Sequence, residues 1–242
     1  MGMLNKFAQE YMNDARDLSS ASFKIDNIQF HNAVFVRKDN YTYLNIKDET
    51  IPVNIFIGVD IAATATSSSD FQAIVVLAID SDKNRYVLEY FRERIPTFDL
   101  PEIIINYANK YAPVRRVNIE TVAAQEMVRD MTTRLAGADR RLMPGIFKGV
   151  KPPNRIKKQD RLETALGTIV NSKRLYLRKT MTELIDELFE HPVSRNDDLM
   201  DALYYADYFG RPSNRFKTGD TDVINKIKKT FKSYNWLTGA KF

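Results

Sequence analysis

Val53-Asn54-Ile55-Phe56-Ile57-Gly58-Val59-Asp60 is an apolar run of strand length that finishes on a carboxylate. Its β-branched and aromatic content, with no charge before Asp60, suits a strand covered on both faces. An Ala/Thr/Ser-rich turn over Ala62 to Ser69 follows it. Asp70 to Ile79 and Arg85 to Arg94 then read as two further strands, joined by the turn Asp80-Ser81-Asp82-Lys83-Asn84. Three successive strands with tight connections predict an antiparallel meander. Beyond it, Thr97 or Asp99 is placed to cap a helix from Pro101 to Tyr111, with proline at an early helical position. Arg116 to Glu120 is a short apolar strand that again ends on a carboxylate. A helix over Ala123 to Leu135 and a strand over Gly145 to Val150, closed by Pro152-Pro153, come next. Lys157 to Asn171 is predicted helical, Arg174 to Leu177 a short strand, Thr182 to Glu190 a helix, and an acid-rich helix comes last. A meander followed by alternating helices and strands predicts an α/β fold, a mixed central sheet with helices on both faces.

The flanks read differently. Residues 1–50 look like an appendage, with a short helix from Leu4 to Ala15, a polar stretch, and some strand-like alternation from Ile28 to Leu44. From Arg211 the composition shifts to a basic tail. There Val223, Ile224, Ile227 and Phe231 mark one face of a short helix, with Trp236 beyond it. A packed tail and a docking element for DNA or protein both fit that pattern. The expected organisation is therefore an appendage over 1–50, a body over 51–210 and a tail over 211–242.

Composition narrows the chemistry. Of the 242 residues 44% are hydrophobic, ordinary for a globular protein. No apolar run is long enough to span a bilayer, and no secretory signal opens the chain, so no membrane partner is expected. The absence of cysteine excludes disulfides, thiolate zinc sites and a cysteine nucleophile. His31 and His191 lack metal-ligand spacing, and His191, before a proline, reads as a helix-terminus residue. The net charge of +5 is mild but unevenly spread. Lys148, Lys151, Arg155, Lys157, Lys158 and Arg161 form one basic stretch, and Lys226, Lys228, Lys229 and Lys232 another. Both suit a polyanionic partner, though a solvated helix face would account for the first.

The acids carry the strongest functional signal. In Asn196-Asp197-Asp198-Leu199-Met200-Asp201-Ala202-Leu203-Tyr204-Tyr205-Ala206, Leu199, Ala202, Leu203, Ala206 and Phe209 form one apolar stripe at about 100° per residue. Asp198 lies on the edge of that stripe, and Asp201 is one turn along from it. Burying carboxylates at a core boundary is expensive unless a partner offsets the cost, and a divalent cation would do so. Singly, each acid has a plainer reading. Asp60 could cap the turn after its strand, Glu120 could pair with Arg116, and Asp197 fits the N-terminal turn of a helix. Jointly, carboxylates from separate elements at one end of a sheet are what a two-metal phosphodiester site needs. All-oxygen ligands favour Mg²⁺ or Mn²⁺. The wheel favours Asp198 and Asp201 over Asp197.

Three segments together, Gly58-Val59-Asp60-Ile61-Ala62, Val117-Asn118-Ile119-Glu120-Thr121-Val122-Ala123 and Asp197-Asp198-Leu199-Met200-Asp201-Ala202-Leu203, resemble the RNase H-like nuclease superfamily. Within it, the likeness is to the nuclease domain of tailed-phage large terminase subunits, carried mainly by residues 51–210. Phe7-Ala8-Gln9-Glu10-Tyr11-Met12-Asn13-Asp14 is similar to the segment where such proteins leave their ATPase domain. The resemblance implies an endonuclease that cuts double-stranded viral DNA during genome packaging with two Mg²⁺ or Mn²⁺ ions. Asp60 would bridge both ions, Glu120 would bind one, and Asp198 or Asp201 would hold the other, the choice among Asp197, Asp198 and Asp201 being left open. It further implies a motor ATPase domain, a small terminase and a portal as partners, and a place in the packaging machinery of the host cytoplasm, not in the virion structure. No Gly-x-x-x-x-Gly-Lys-[Ser/Thr] loop is present, so neither ATP hydrolysis nor translocation is expected of this chain. Several residues of the basic stretch from Lys148 to Arg161 are expected to hold the duplex backbone. Two other readings stay open: a Holliday-junction resolvase or transposase of the same chemistry, and a non-catalytic module that docks on DNA or the portal.

Overall fold

The computed structural model describes residues 23–62, 71–121, 125–137, 142, 145–153, 155–194 and 196–213. The expected N-terminal helix with Phe7 to Asp14, most of the turn after Asp60, and the basic tail beyond residue 213 lie outside the described residues.

The apolar run that opens the body is a twelve-residue strand, β4 (Glu49–Asp60), and two sets of neighbours use it. Its first half pairs antiparallel with β3 (Tyr41–Ile46), which pairs in turn with β2 (Val34–Lys38). Its second half is flanked by β5 (Gln72–Ile79), antiparallel, and β7 (Val114–Glu120), parallel. β5 continues antiparallel into β6 (Arg85–Glu93), so the expected meander is β4, β5 and β6. β8 (Phe147–Val150) lies parallel beside β7, and β9 (Leu175–Leu177) parallel beside β6. β1 (Gln29–Phe30) pairs parallel with β9. Residues 29–46 thus supply three strands of the sheet, not an appendage, and the expected boundary at residue 51 falls inside β4. Phe23 and Ile28 are buried in the core as well.

The helices are α1 (Leu100–Lys110), α2 (Gln125–Ala136), α3 (Lys158–Asn171), α4 (Thr182–Glu190) and α5 (Asp198–Asp207). Every residue of β5 is buried, and its side chains alternate between two cores, as period-two geometry requires. Ala73, Val75, Leu77 and Ile79 join Leu162, Leu166, Leu184, Leu188 and Leu203 from α3, α4 and α5. Ile74, Val76 and Ala78 join Leu100 and Ile104 of α1 and Val128 of α2 on the other face. The sheet is therefore mixed and covered by helices on both faces.

α5 departs from the expected amphipathic stripe. Leu199 to Ala206 are all buried, while Phe209, expected in the stripe, is 44% exposed beyond the helix end. The helix lies directly on β4, and Gly58 permits it. A Cβ there would stand under 3.0 Å from Ala202 O and Ala206 N, both backbone atoms of α5. Asn118 Nδ2 on β7 donates to Tyr205 O at 2.7 Å. Met200 N donates to Glu187 Oε2 of α4 at 3.0 Å, satisfying an otherwise unpaired first-turn amide. These ties fix the acid-bearing helix against the strands that end on the other acids.

Candidate active site

Asp60 and Glu120 close two adjacent parallel strands. Val59 pairs with Ile119 in register, so the next residue on each strand brings its carboxylate to the same edge of the sheet. The two acids share a hydrogen bond. Burial, then that bond, then the charges of Asp201 and Glu120 push the Asp60 carboxyl well above its ordinary range. Asp201, on the face of α5 turned to the sheet, has a side chain only 3% exposed. Burial raises its carboxyl to about 6, although Lys158 and Arg161 pull the other way. Tyr205, fully buried on the same helix, faces these acids, and burial followed by the charges of Glu120, Asp201 and Asp60 raises its phenol far above normal.

The three Asp residues of the helix start do not act together. Asp197 is the N-cap, with φ −140° and ψ 13°, and makes no side-chain capping bond. Its carboxylate lies 2.8 Å from Lys158 Nζ, which also stands 2.5 Å from Asp201 Oδ2. Asp198 instead meets Arg92 Nη2 of β6 at 3.4 Å. The Arg92 side chain is 7% exposed and also meets Glu183 at 3.2 Å and Glu187 at 3.8 Å. The structure thus turns Asp197 and Asp201 to one lysine and Asp198 to an arginine, where the wheel groups Asp198 with Asp201. A wheel assumes helical dihedrals, which the N-cap lacks, and it cannot see an arginine recruiting the next carboxylate.

The plainer pairing of Glu120 is not found among the described residues, and most of the turn that Asp60 could cap lies outside them. Arg116 does not pair with Glu120; its Nε donates to Asn118 Oδ1 at 2.5 Å and its guanidinium lies over the Phe209 ring. His31 is structural, accepting from Ala33 N through Nδ1 while Nε2 meets Val87 O at 2.9 Å. Burial pushes it down to about 4. His191 caps the C-terminus of α4, as its place before a proline predicts.

Of the basic stretch, Lys148, Lys151, Arg155 and Lys157 are exposed, and Lys151 pairs with Glu126 at 3.3 Å. Lys158 and Arg161, expected on the same surface, turn inward to the acids. Sequence reasoning did not anticipate Lys158, Arg161, Arg92 and Glu187 as neighbours of the acids. Lys158 lies forty-three residues from Asp201, and no local signal links them.

By donor chemistry the acids fit a hard divalent cation, because they supply only carboxylate oxygen and Asp60 is strained by two neighbouring acids. Among the described residues, no three of them stand in a common ion-holding geometry, and Lys158 sits against Asp201.

A model of the terminase RNase H-like domain matches residues 57–207, from the end of β4 to the last residue of α5. The chain belongs to that family. Solved terminase nucleases share the fold at low identity. The large terminase nuclease of thermophilic phage G20c matches with a TM-score of 0.54 and 15% identity, over 79% of this chain and 99% of that one. The P22 large terminase nuclease domain matches with a TM-score of 0.52 and 17% identity, over 80% of this chain and 95% of that one. The G20c nuclease is also known with bound zinc, matching at a TM-score of 0.54 and 16% identity over 78% and 99% of the two chains. No curated protein matches the sequence. The terminase RNase H-like domain thus runs from the strand carrying Asp60 to the helix carrying Asp201, with residues 23–56 adding further strands to the same sheet.

Proposed function

We propose that this terminase RNase H-like domain is a metal-dependent endodeoxyribonuclease that cuts double-stranded viral DNA during genome packaging. The observation that carries the reading is the convergence of Asp60, Glu120 and Asp201, from three elements, at one edge of the sheet. Family membership supports nuclease chemistry, and the zinc-bound G20c nuclease supports a divalent ion in a related fold.

Asp60, Glu120, Asp201 and Asp197 are the residues that would hold two Mg²⁺ or Mn²⁺ ions, Asp60 lying beside both Glu120 and Asp201. Such ions, when bound, activate a water and stabilise the leaving oxygen. The chain's own part is to hold these oxygens rigidly, and the contact of α5 with Gly58 provides that rigidity. Asp198, held by Arg92, serves as a positioning residue. Lys148, Lys151, Arg155 and Lys157 form the exposed basic surface proposed to hold the duplex backbone without sequence choice. In the packaging assembly this activity would work beside a motor ATPase domain, a small terminase and a portal in the host cytoplasm.

Plasmid cleavage with Mg²⁺, Mn²⁺ or EDTA, beside Asp60→Asn, tests the proposal. Metal-dependent nicking and linearisation lost in the variant is the expected result. Wild-type rates in Asp60→Asn overturn the site, preference for branched over linear DNA turns the reading to a junction resolvase, and inert wild type that still binds DNA turns it to a docking module.

A further inference from the structure

Lys158 is set apart from the basic residues around it. It stands in the first turn of α3, its Nζ 2.5 Å from Asp201 Oδ2 and 2.8 Å from Asp197 Oδ2. Arg161 Nη2 lies 3.4 Å from the other oxygen of Asp201, Oδ1. Both oxygens of Asp201 are therefore matched by cations. The two cations are not held alike. The Arg161 side chain is 10% exposed and its guanidinium lies over the Tyr204 ring, 5.0 Å from the centroid. The Lys158 side chain is 47% exposed, a compact ammonium on a flexible stem with a free path to solvent.

The oxygens that Lys158 touches are those assigned above to a divalent ion. An ammonium and a dication on the same oxygens repel each other, and Asp201, with a side chain only 3% exposed, leaves little water on its side to screen them. One must leave, and the half-exposed side chain is the one able to.

We infer that Lys158 is the resident counter-cation of Asp197 and Asp201, and that a divalent ion must displace it to load the site. The inference rests on the carboxylate-metal reading and adds a control to it. Without metal, the ammonium offsets the cost of two neighbouring carboxylates, one of them buried. With metal, an ion pair is lost, so the observed affinity is lower than the carboxylates alone would give. The site stays charge-balanced when empty and fills only where free divalent ion is plentiful.

Calorimetric titration of Mn²⁺ into the DNA-free protein tests this, comparing wild type, Lys158→Gln, Lys158→Arg and the exposed control Lys179→Gln, with melting curves in EDTA. Lys158→Gln is expected to bind Mn²⁺ about tenfold tighter, to melt lower than wild type in EDTA, and to recover on adding Mn²⁺. Lys158→Arg keeps a cation against the acids and is expected to retain the weak affinity, and Lys179→Gln to match wild type. Equal or weaker binding by Lys158→Gln overturns the inference while the metal site stands, because the lysine would then be ordering the ligands. No Mn²⁺ binding by any variant overturns the metal site itself and this inference with it.

Discussion

Gly58→Ala is the sharpest test of how the fold holds the acids. The added Cβ would stand under 3.0 Å from Ala202 O and Ala206 N. These are backbone atoms, so no rotamer change relieves the clash and α5 must withdraw by roughly 1 Å. Overpacking strain of this kind costs about 1–3 kcal/mol. The withdrawal also stretches the bond from Asn118 Nδ2 to Tyr205 O, whose loss leaves buried polar atoms unpaired for about 1–3 kcal/mol more. A total near 3 kcal/mol corresponds to a fall in Tm on the order of 10 °C for a domain of this size. Asp201 moves with the helix while Asp60 and Glu120 stay on the strands, and a misplacement of about 1 Å costs on the order of 100-fold in rate. Thermal melting and plasmid cleavage well below the lowered Tm read the two effects separately. A variant that melts within about 2 °C of wild type and cuts at the wild-type rate would refute the claim that the close approach of α5 to β4 sets the site.

Other outcomes follow from the same geometry. Asp201→Asn should abolish cleavage, whereas Asp198→Asn, removing only a partner of Arg92, should leave at least a tenth of the rate by plasmid assay. Glu187→Gln should flatten the pH dependence of stability. Burial first, with the charges of Asp198 and Asp197, raises the Glu187 carboxyl from 4.5 to about 8 against the pull of Met200 N–H and Arg92. A raised carboxyl stabilises fully below its unfolded value and loses that contribution as pH rises through the folded value. Wild type should therefore weaken relative to Glu187→Gln between pH 4.5 and about 8, which denaturant titrations across that range would show. Replacing Lys148, Arg155 and Lys157 together by alanine should lower the salt slope of DNA binding by about 0.9 for each phosphate no longer neutralised; an unchanged slope removes this surface from the DNA.

The ends of the elements are legible in the sequence wherever apolar period and turn chemistry agree. β4, β5 and β6 fall within a few residues of the runs read from the sequence because every position in β5 is buried and the turns are polar. Two hairpins escape that reading. Asp39-Asn40, with Asp39 at φ 54°, makes the β2–β3 turn, a pattern that Asp and Asn at a two-residue loop do signal. Lys47, at φ 55° before Asp48, makes the β3–β4 turn, and lysine gives no such signal. Asp60, Glu120 and Asp201 are visible as acids at the ends of apolar runs or among them. The cations against them are not, because the side chain of Lys158 is directed by tertiary packing of α3 on α5 and not by its neighbours in the chain.

β1 and the β2–β3 hairpin stand at the two ends of one strand path that runs through β9, β6, β5 and β4. A single stretch, residues 29–46, therefore borders the domain on both sides. Any shortened protein that starts at residue 51 would strip both borders at once, leaving β9 and the first half of β4 with bare amide and carbonyl rows ready to pair between molecules. Such a version should precipitate or self-associate at concentrations where a version starting at residue 23 stays monodisperse in size-exclusion chromatography. For anyone trimming this domain for crystals or for assays, the usable starting point lies no later than Phe23.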